Sequence, residues 1–260
     1  MKRTIGFGIV VLIITTMAFG PASAKDNSEA TISALQTKVT ELEDLLTPTT
    51  GSMGAVTGSG TSSKLFGPAI DLLPPGEPGL ASVVLVGPYG TWLPIVIRNN
   101  TDYSLGRVDV SVAAYSSDGA LIGAGSSLEI QPAIIDPGGY GIGNVSFSFL
   151  DLPADTSFKF KVEGEADSEP YLLYDLTIAN ATFQVDRIVG EISNDTGLLI
   201  TNNAQVMFAC LNPSGALTNV DSIYSADTTI QPGGTAIFQI DEYYKPCELF
   251  LLTAKGFSNP

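Results

Sequence analysis

The chain holds two cysteines, Cys210 and Cys247, and no histidine among 260 residues. Without an imidazole there is no Ser-His-Asp or Cys-His nucleophile, no histidine general base and no His-ligated zinc. A reactive cysteine needs a basic neighbour to stabilise its thiolate, and Lys245 is the only such residue close in sequence. The expectation is therefore a structural disulfide. Cys210 shares its strand parity with Phe208, and Cys247 shares parity with Leu249 and Leu251, so a bridge between two strands is feasible. Closing that loop would stabilise the fold by about 4 kcal/mol in the chain-entropy model.

Paired carboxylates facing one cleft would suit glycoside hydrolysis, but nothing in the spacing fixes such a pair. Asp102, Asp118, Asp136, Asp195, Asp221 and Asp241 stand mostly in turn-forming stretches, where aspartate serves local hydrogen bonding. Oxygen ligands between Asn99 and Asp102, with Asp136, would make at most a weak calcium site, and no EF-hand loop is present. No metal and no cofactor is expected. Among the aromatics near strand ends and loops, Tyr103, Tyr140, Tyr243 and Tyr244 are the candidate contacts for a partner or a glycan, because tyrosine joins apolar area to a polar handle. Trp92 is expected to fill the core of the first domain. Asn-x-Ser/Thr sequons at Asn99, Asn144, Asn180 and Asn194 receive no functional weight.

These residues must be placed by folded elements, and the composition permits them. Hydrophobic residues make up 44% and charged ones 15%, enough to bury a core. Twelve basic against twenty-seven acidic residues leave a net charge of −15, which repels nucleic acid and anionic lipid. Lys2 and Arg3, an apolar run from Ile5 to Phe19 and Ala22-Ser23-Ala24 form a secretory signal peptide over residues 1–24. Its apolar run is shorter than the roughly 20 residues that span a bilayer, so cleavage and export are expected, with no transmembrane segment thereafter. Ile32, Leu35, Val39, Leu42 and Leu46 recur at spacings of 3 and 4, an a/d seam on a helix over 28–46 that would support a homo-oligomer. Residues 47–79 read as a flexible Gly/Ser/Thr linker followed by a Pro-rich lead-in; the first seventeen of them would reach roughly 23 Å.

Beyond residue 80 short apolar runs alternate with Gly, Pro, Asn and Asp, an all-β pattern. Val108, Val110, Val112 and Ala114 alternate with Asp109, Ser111 and Ala113; Ala204, Val206, Phe208 and Cys210 alternate with Gln205, Met207 and Ala209. Three landmarks recur: Asn99-Asn100-Thr101 against Asn194-Asp195-Thr196, Gly119-Ala120-Leu121 against Gly215-Ala216-Leu217, and Pro137-Gly138-Gly139 against Pro232-Gly233-Gly234, at offsets of 95, 96 and 95. Such a duplication predicts two tandem immunoglobulin-like antiparallel β-sandwiches, over 80–165 and 171–258. The acidic joint 163–170 is short, so an end-to-end arrangement is expected.

The stretch Ile97-Arg98-Asn99-Asn100-Thr101, then Val108 through Gly123 with Tyr115 and Asp118, then Asp136-Pro137-Gly138-Gly139, resembles the FxLYD-type domain of prokaryotic secreted proteins. Val189 through Thr196 carries the likeness into the second repeat, where Leu211-Asn212 stands in place of Tyr115-Ser116. The resemblance implies a non-catalytic β-sandwich attached to exported or envelope proteins. The expected protein is thus an exported, non-enzymatic interaction module for a cell-envelope or surface component, with a carbohydrate-binding module as the second class.

Overall fold

A computed structural model describes residues 64–147, 151–166 and 172–258. All of them belong to one compact unit, Gly54–Pro260. The signal segment, the helix over 28–46 with Ile32, Leu35, Val39, Leu42 and Leu46, and the first part of the linker lie outside the described residues.

The described chain is all-β, in two antiparallel 7-stranded sheets. The first repeat contributes β1 (Ala81–Val86), β2 (Leu93–Asn99), β3 (Leu105–Tyr115), β4 (Leu121–Gln131), β5 (Ile134–Ile135), β6 (Tyr140–Ser146) and β7 (Ser157–Ala166). The second contributes β8 (Leu173–Gln184), β9 (Arg187–Ser193), β10 (Ile200–Leu211), β11 (Leu217–Tyr224), β12 (Thr229–Ile230), β13 (Thr235–Ile240) and β14 (Leu249–Phe257). Period-two patterning explains them. On β13, Ala236, Phe238 and Ile240 are buried while Thr235, Ile237 and Gln239 face solvent. Each sheet folds over on itself: Leu93, Ile95 and Ile97 of β2 and Val145 of β6 meet Val110, Val112 and Ala114 of β3 across one core. Ile188 and Ile192 of β9 and Phe238 of β13 meet Val206, Phe208 and Leu252 in the other.

The repeats close differently. In the first, β6 pairs with β4; in the second, β8 pairs with β14 over Leu173–Leu176 before its later residues pair with β9. The twelve-residue β8 is long enough to serve both partners, whereas β1 has only six residues and pairs with β2 alone.

Two of the three landmark motifs of the duplication turn out to be one device. Asn99 is fully buried; its Nδ2 donates to the carbonyls of Tyr103 (2.9 Å) and Ile135 (2.8 Å), and its Oδ1 accepts from Thr101 N (3.0 Å) and Thr101 Oγ1 (2.6 Å). Asn194 repeats this with Leu198 (2.8 Å), Ile230 (2.9 Å) and Thr196. The Pro-Gly-Gly turn completes each corner: Gly138 N donates to Asn99 O and Gly233 N to Asn194 O. Gly138 and Gly233 sit at φ of 74° and 71°, which favours glycine.

Two sequence expectations fail here, for one reason. The repeats do not stand end to end but side by side, because the outer face of β2 and β6 and the outer face of β10 and β14 are both apolar. Val96, Tyr140 and Ile142 are buried against Met207, Ala209, Leu211 and Leu251. From Val206 to Leu211 both faces of β10 are buried, so its odd positions are core rather than solvent face. The lead-in from residue 64 is no linker either: Leu65, Ala69 and Leu73 enter the same cluster, Phe66 bridges to Leu252 of β14, and Tyr140 Oη donates to the carbonyls of Leu73 and Pro74.

The two repeats run in the same sense. Gly87, at the β1–β2 turn, lies against Pro94 and the carbonyl of Leu217, at the start of β11, while Glu129 near the end of β4 meets Gln205 and Lys255. The turns 87–92, 116–120, 185–186 and 212–216 therefore share one end, the tip. Asn99, Asn194 and the Pro-Gly-Gly turns share the other, the base.

Candidate functional site

Cys210 and Cys247 form the disulfide, with Cα atoms 5.7 Å apart. It differs in one respect from expectation: Cys247 lies in the loop before β14 and not on a strand. Lys245 at φ 51° and Pro246 interrupt the extended chain there. The bridge ties this loop to the tip end of β10. Its counterpart in the first repeat is Ala114, fully buried opposite Phe158. An aromatic chain packs that end instead: Tyr89 stands edge-on to Phe147 at 5.5 Å, Phe147 meets Phe158 at 5.7 Å, and Phe158 meets Phe160 at 6.2 Å. With Tyr89 and Phe147 in place, Trp92 does not fill the core; it is 43% exposed at the tip.

The aspartates of the turns make local hydrogen bonds. Asp118 accepts from the Ser116 hydroxyl and from Ala120 N. The Ser116 bond, and after it the Ala120 amide, hold its carboxyl below the usual carboxylate range. Asp136 accepts from Ser104 Oγ (2.9 Å), Asp195 from Ser193 Oγ (2.7 Å) and Asp241 from Tyr243 N (3.1 Å); Asp221 lies within β11 and not in a turn, and accepts from Ser222 N (2.8 Å). Asp102 is exposed at the base. Among the described residues no three cysteine, aspartate or glutamate side chains gather as a metal site.

The four tyrosines singled out by sequence do not converge. Tyr140 is buried in the seam under Arg98, whose guanidinium carbon lies 4.2 Å from the ring centre, and so leaves the set of surface contacts. Tyr103 is exposed at the base of the first repeat. Tyr243 and Tyr244 stand together at the tip of the second, edge-on at 5.1 Å. Tyr244 packs on the core, whereas Tyr243 is 82% exposed.

Sequence reasoning missed two polar junctions because their partners are remote in the chain. Asp175 accepts from Lys64 Nζ (2.7 Å), Ala133 N (2.7 Å) and Ile134 N (3.3 Å), joining the lead-in and both repeats. Glu129 accepts from Gln131 Nε2 (2.9 Å) and Gln205 Nε2 (3.1 Å) and pairs with Lys255 across the seam. No local pattern marks either carboxylate. Among the described residues no helix is long and apolar enough to cross a membrane. No protein-family model and no curated protein matches the chain.

Proposed function

We propose that the chain is an exported, non-catalytic interaction protein, in which two immunoglobulin-like sandwiches of FxLYD type present a surface to a cell-envelope component. The observation that carries this is the side-by-side packing of the repeats. A seam sealed by Val96, Ile142, Leu211, Leu251 and the lead-in makes one body whose two sets of tip turns point the same way. A disulfide in a chain that opens with a signal-like segment supports export. The absence of histidine and the local engagement of the turn aspartates support a non-catalytic role. The heptad segment would multiply weak contacts by avidity if it pairs chains.

The test is co-sedimentation of residues 25–260 with envelopes of the source organism, beside a shortened chain beginning at residue 64. Both pelleting equally would place binding in the β repeats; pelleting of the longer chain alone would place it in the helix or its avidity. Failure of both would remove the envelope reading. A carbohydrate-binding module is the second reading, favoured by Tyr243 and Trp92 standing exposed at turns.

A further inference from the structure

We propose that the tip end, built jointly by both repeats, is a docking surface for a cationic polypeptide, with Tyr243 and Trp92 as its aromatic anchors. This rests on the interaction role proposed above and specifies the partner's chemistry. Val185 and Tyr243, at 92% and 82%, are the most exposed large hydrophobic residues among those described. Ile188 pairs with Ile240, so the β8–β9 turn and the loop after β13 leave from adjacent strand ends. Trp92 and Leu121, 43% and 63% exposed, occupy the tip of the first repeat.

Tyr243 is held out on a fixed support. Asp241 caps the turn through Tyr243 N, Asn219 Nδ2 donates to the carbonyl of Tyr244, and the disulfide at Cys247 pins the loop to β10. An aromatic whose backbone is already ordered loses little freedom on binding, which suits an anchor. Val185 adds a second sign. It holds φ of 60°, a conformation costly for a β-branched residue, and buries nothing in return. The two-residue turn between β8 and β9 itself requires that backbone, so the sign lies in an apolar side chain set wholly in water there.

Charge selects the occupant. Exposed Asp118, Asp155, Glu242 and Glu248 stand at the tip; of the cations there, Arg187 is paired with Asp186, Lys159 is drawn over the ring of Tyr115, and Lys245 is exposed two residues after Tyr243. With −15 on the chain, an anionic glycan or lipid is repelled, and a lysine- or arginine-bearing segment is drawn in. Its cations also fit over the faces of Trp92 and Tyr243. Lys64 and Phe257 both lie at the base, at the end opposite these turns.

The experiment is amide NMR on the isotope-labelled chain, titrated with an unstructured peptide alternating arginine and leucine, a matched glutamate–leucine peptide and a neutral β-glucan oligosaccharide. The expected result is shifts confined to 87–92, 116–121, 184–187 and 241–246 with the arginine peptide alone. The joint change Trp92→Ala and Tyr243→Ala should weaken that binding at least about tenfold, equivalent to about 1.4 kcal/mol, with the remaining spectrum unchanged. Shifts at the base, or spread over the whole acidic surface, would overturn the proposal. So would tip shifts from the oligosaccharide alone, which would favour the glycan reading instead. If the doubly substituted chain still sediments with envelopes like the unsubstituted one, the interaction role stands and the tip loses its part in it.

Discussion

Asn99 satisfies four backbone or hydroxyl groups at a buried corner and Asn194 five, so their removal leaves several polar groups without partners. Each buried group so orphaned costs about 1–3 kcal/mol. Asn194→Ala is therefore expected to destabilise the chain by about 3 kcal/mol or more in urea unfolding, and Asn194→Asp to fare little better, since the bonds donated to Leu198, Ile230 and Gln231 are lost. An effect below 0.5 kcal/mol would show that water replaces the clamp. The sequence displayed these residues only as landmarks and as sequons; their second partners, Ile135 and Ile230, lie 36 residues away, beyond any local signal. Asp118 allows a pH expectation. Its carboxyl is depressed by Ser116 and Ala120, so the turn is held while the carboxylate is charged and loosens as pH falls through its lowered value. Amide shifts of Ala120 followed in an acid titration should move below the ordinary carboxylate range, and movement centred at or above that range would refute the assignment.

The strands were legible wherever one face meets solvent, as on β3 and β13, because alternation then survives in the residues themselves. They were not legible in character on β10, whose Met207, Ala209 and Leu211 look outward in their own sheet and are covered by the neighbouring repeat. The lead-in hides its role for a related reason: proline and glycine at 74–79 signal a linker, while Leu65, Ala69 and Leu73 gain meaning only from the faces they seal. At this scale the two repeats secure the same place by different means. Cys210→Ser with Cys247→Ser should cost about 4 kcal/mol through a loosened second repeat. Phe147→Ala, which breaks the aromatic chain of the first, should cost about 3–5 kcal/mol. Calorimetry of both variants checks this; equal tolerance of Phe147→Ala and of an exposed substitution such as Lys161→Ala would contradict it.

As a whole molecule the chain should behave as one cooperative body rather than two beads. The acidic joint suggested separate domains, but charge in a linker carries no information about which sheet faces can remain in water. Ile142 is fully buried in the first repeat's outer face, facing the second repeat and the lead-in. Ile142→Asp puts an unpaired charge there, and the expected outcome is a split of one thermal transition into two, with an expanded scattering profile. A single unchanged transition would mean that the seam contributes little.

The seam also limits how this gene can be rearranged. The repeats share their landmark motifs, yet their outer faces differ: β10 and β14 present Met207, Ala209 and Leu251, while the corresponding face of the first repeat shows Ser111, Lys159, Lys161 and Glu163 to solvent. On the far side of the second repeat, Glu191 stands where the first has Val96. Replacing either repeat by a copy of the other would press charges against an apolar sheet. Each repeat carries a face that only the other one matches.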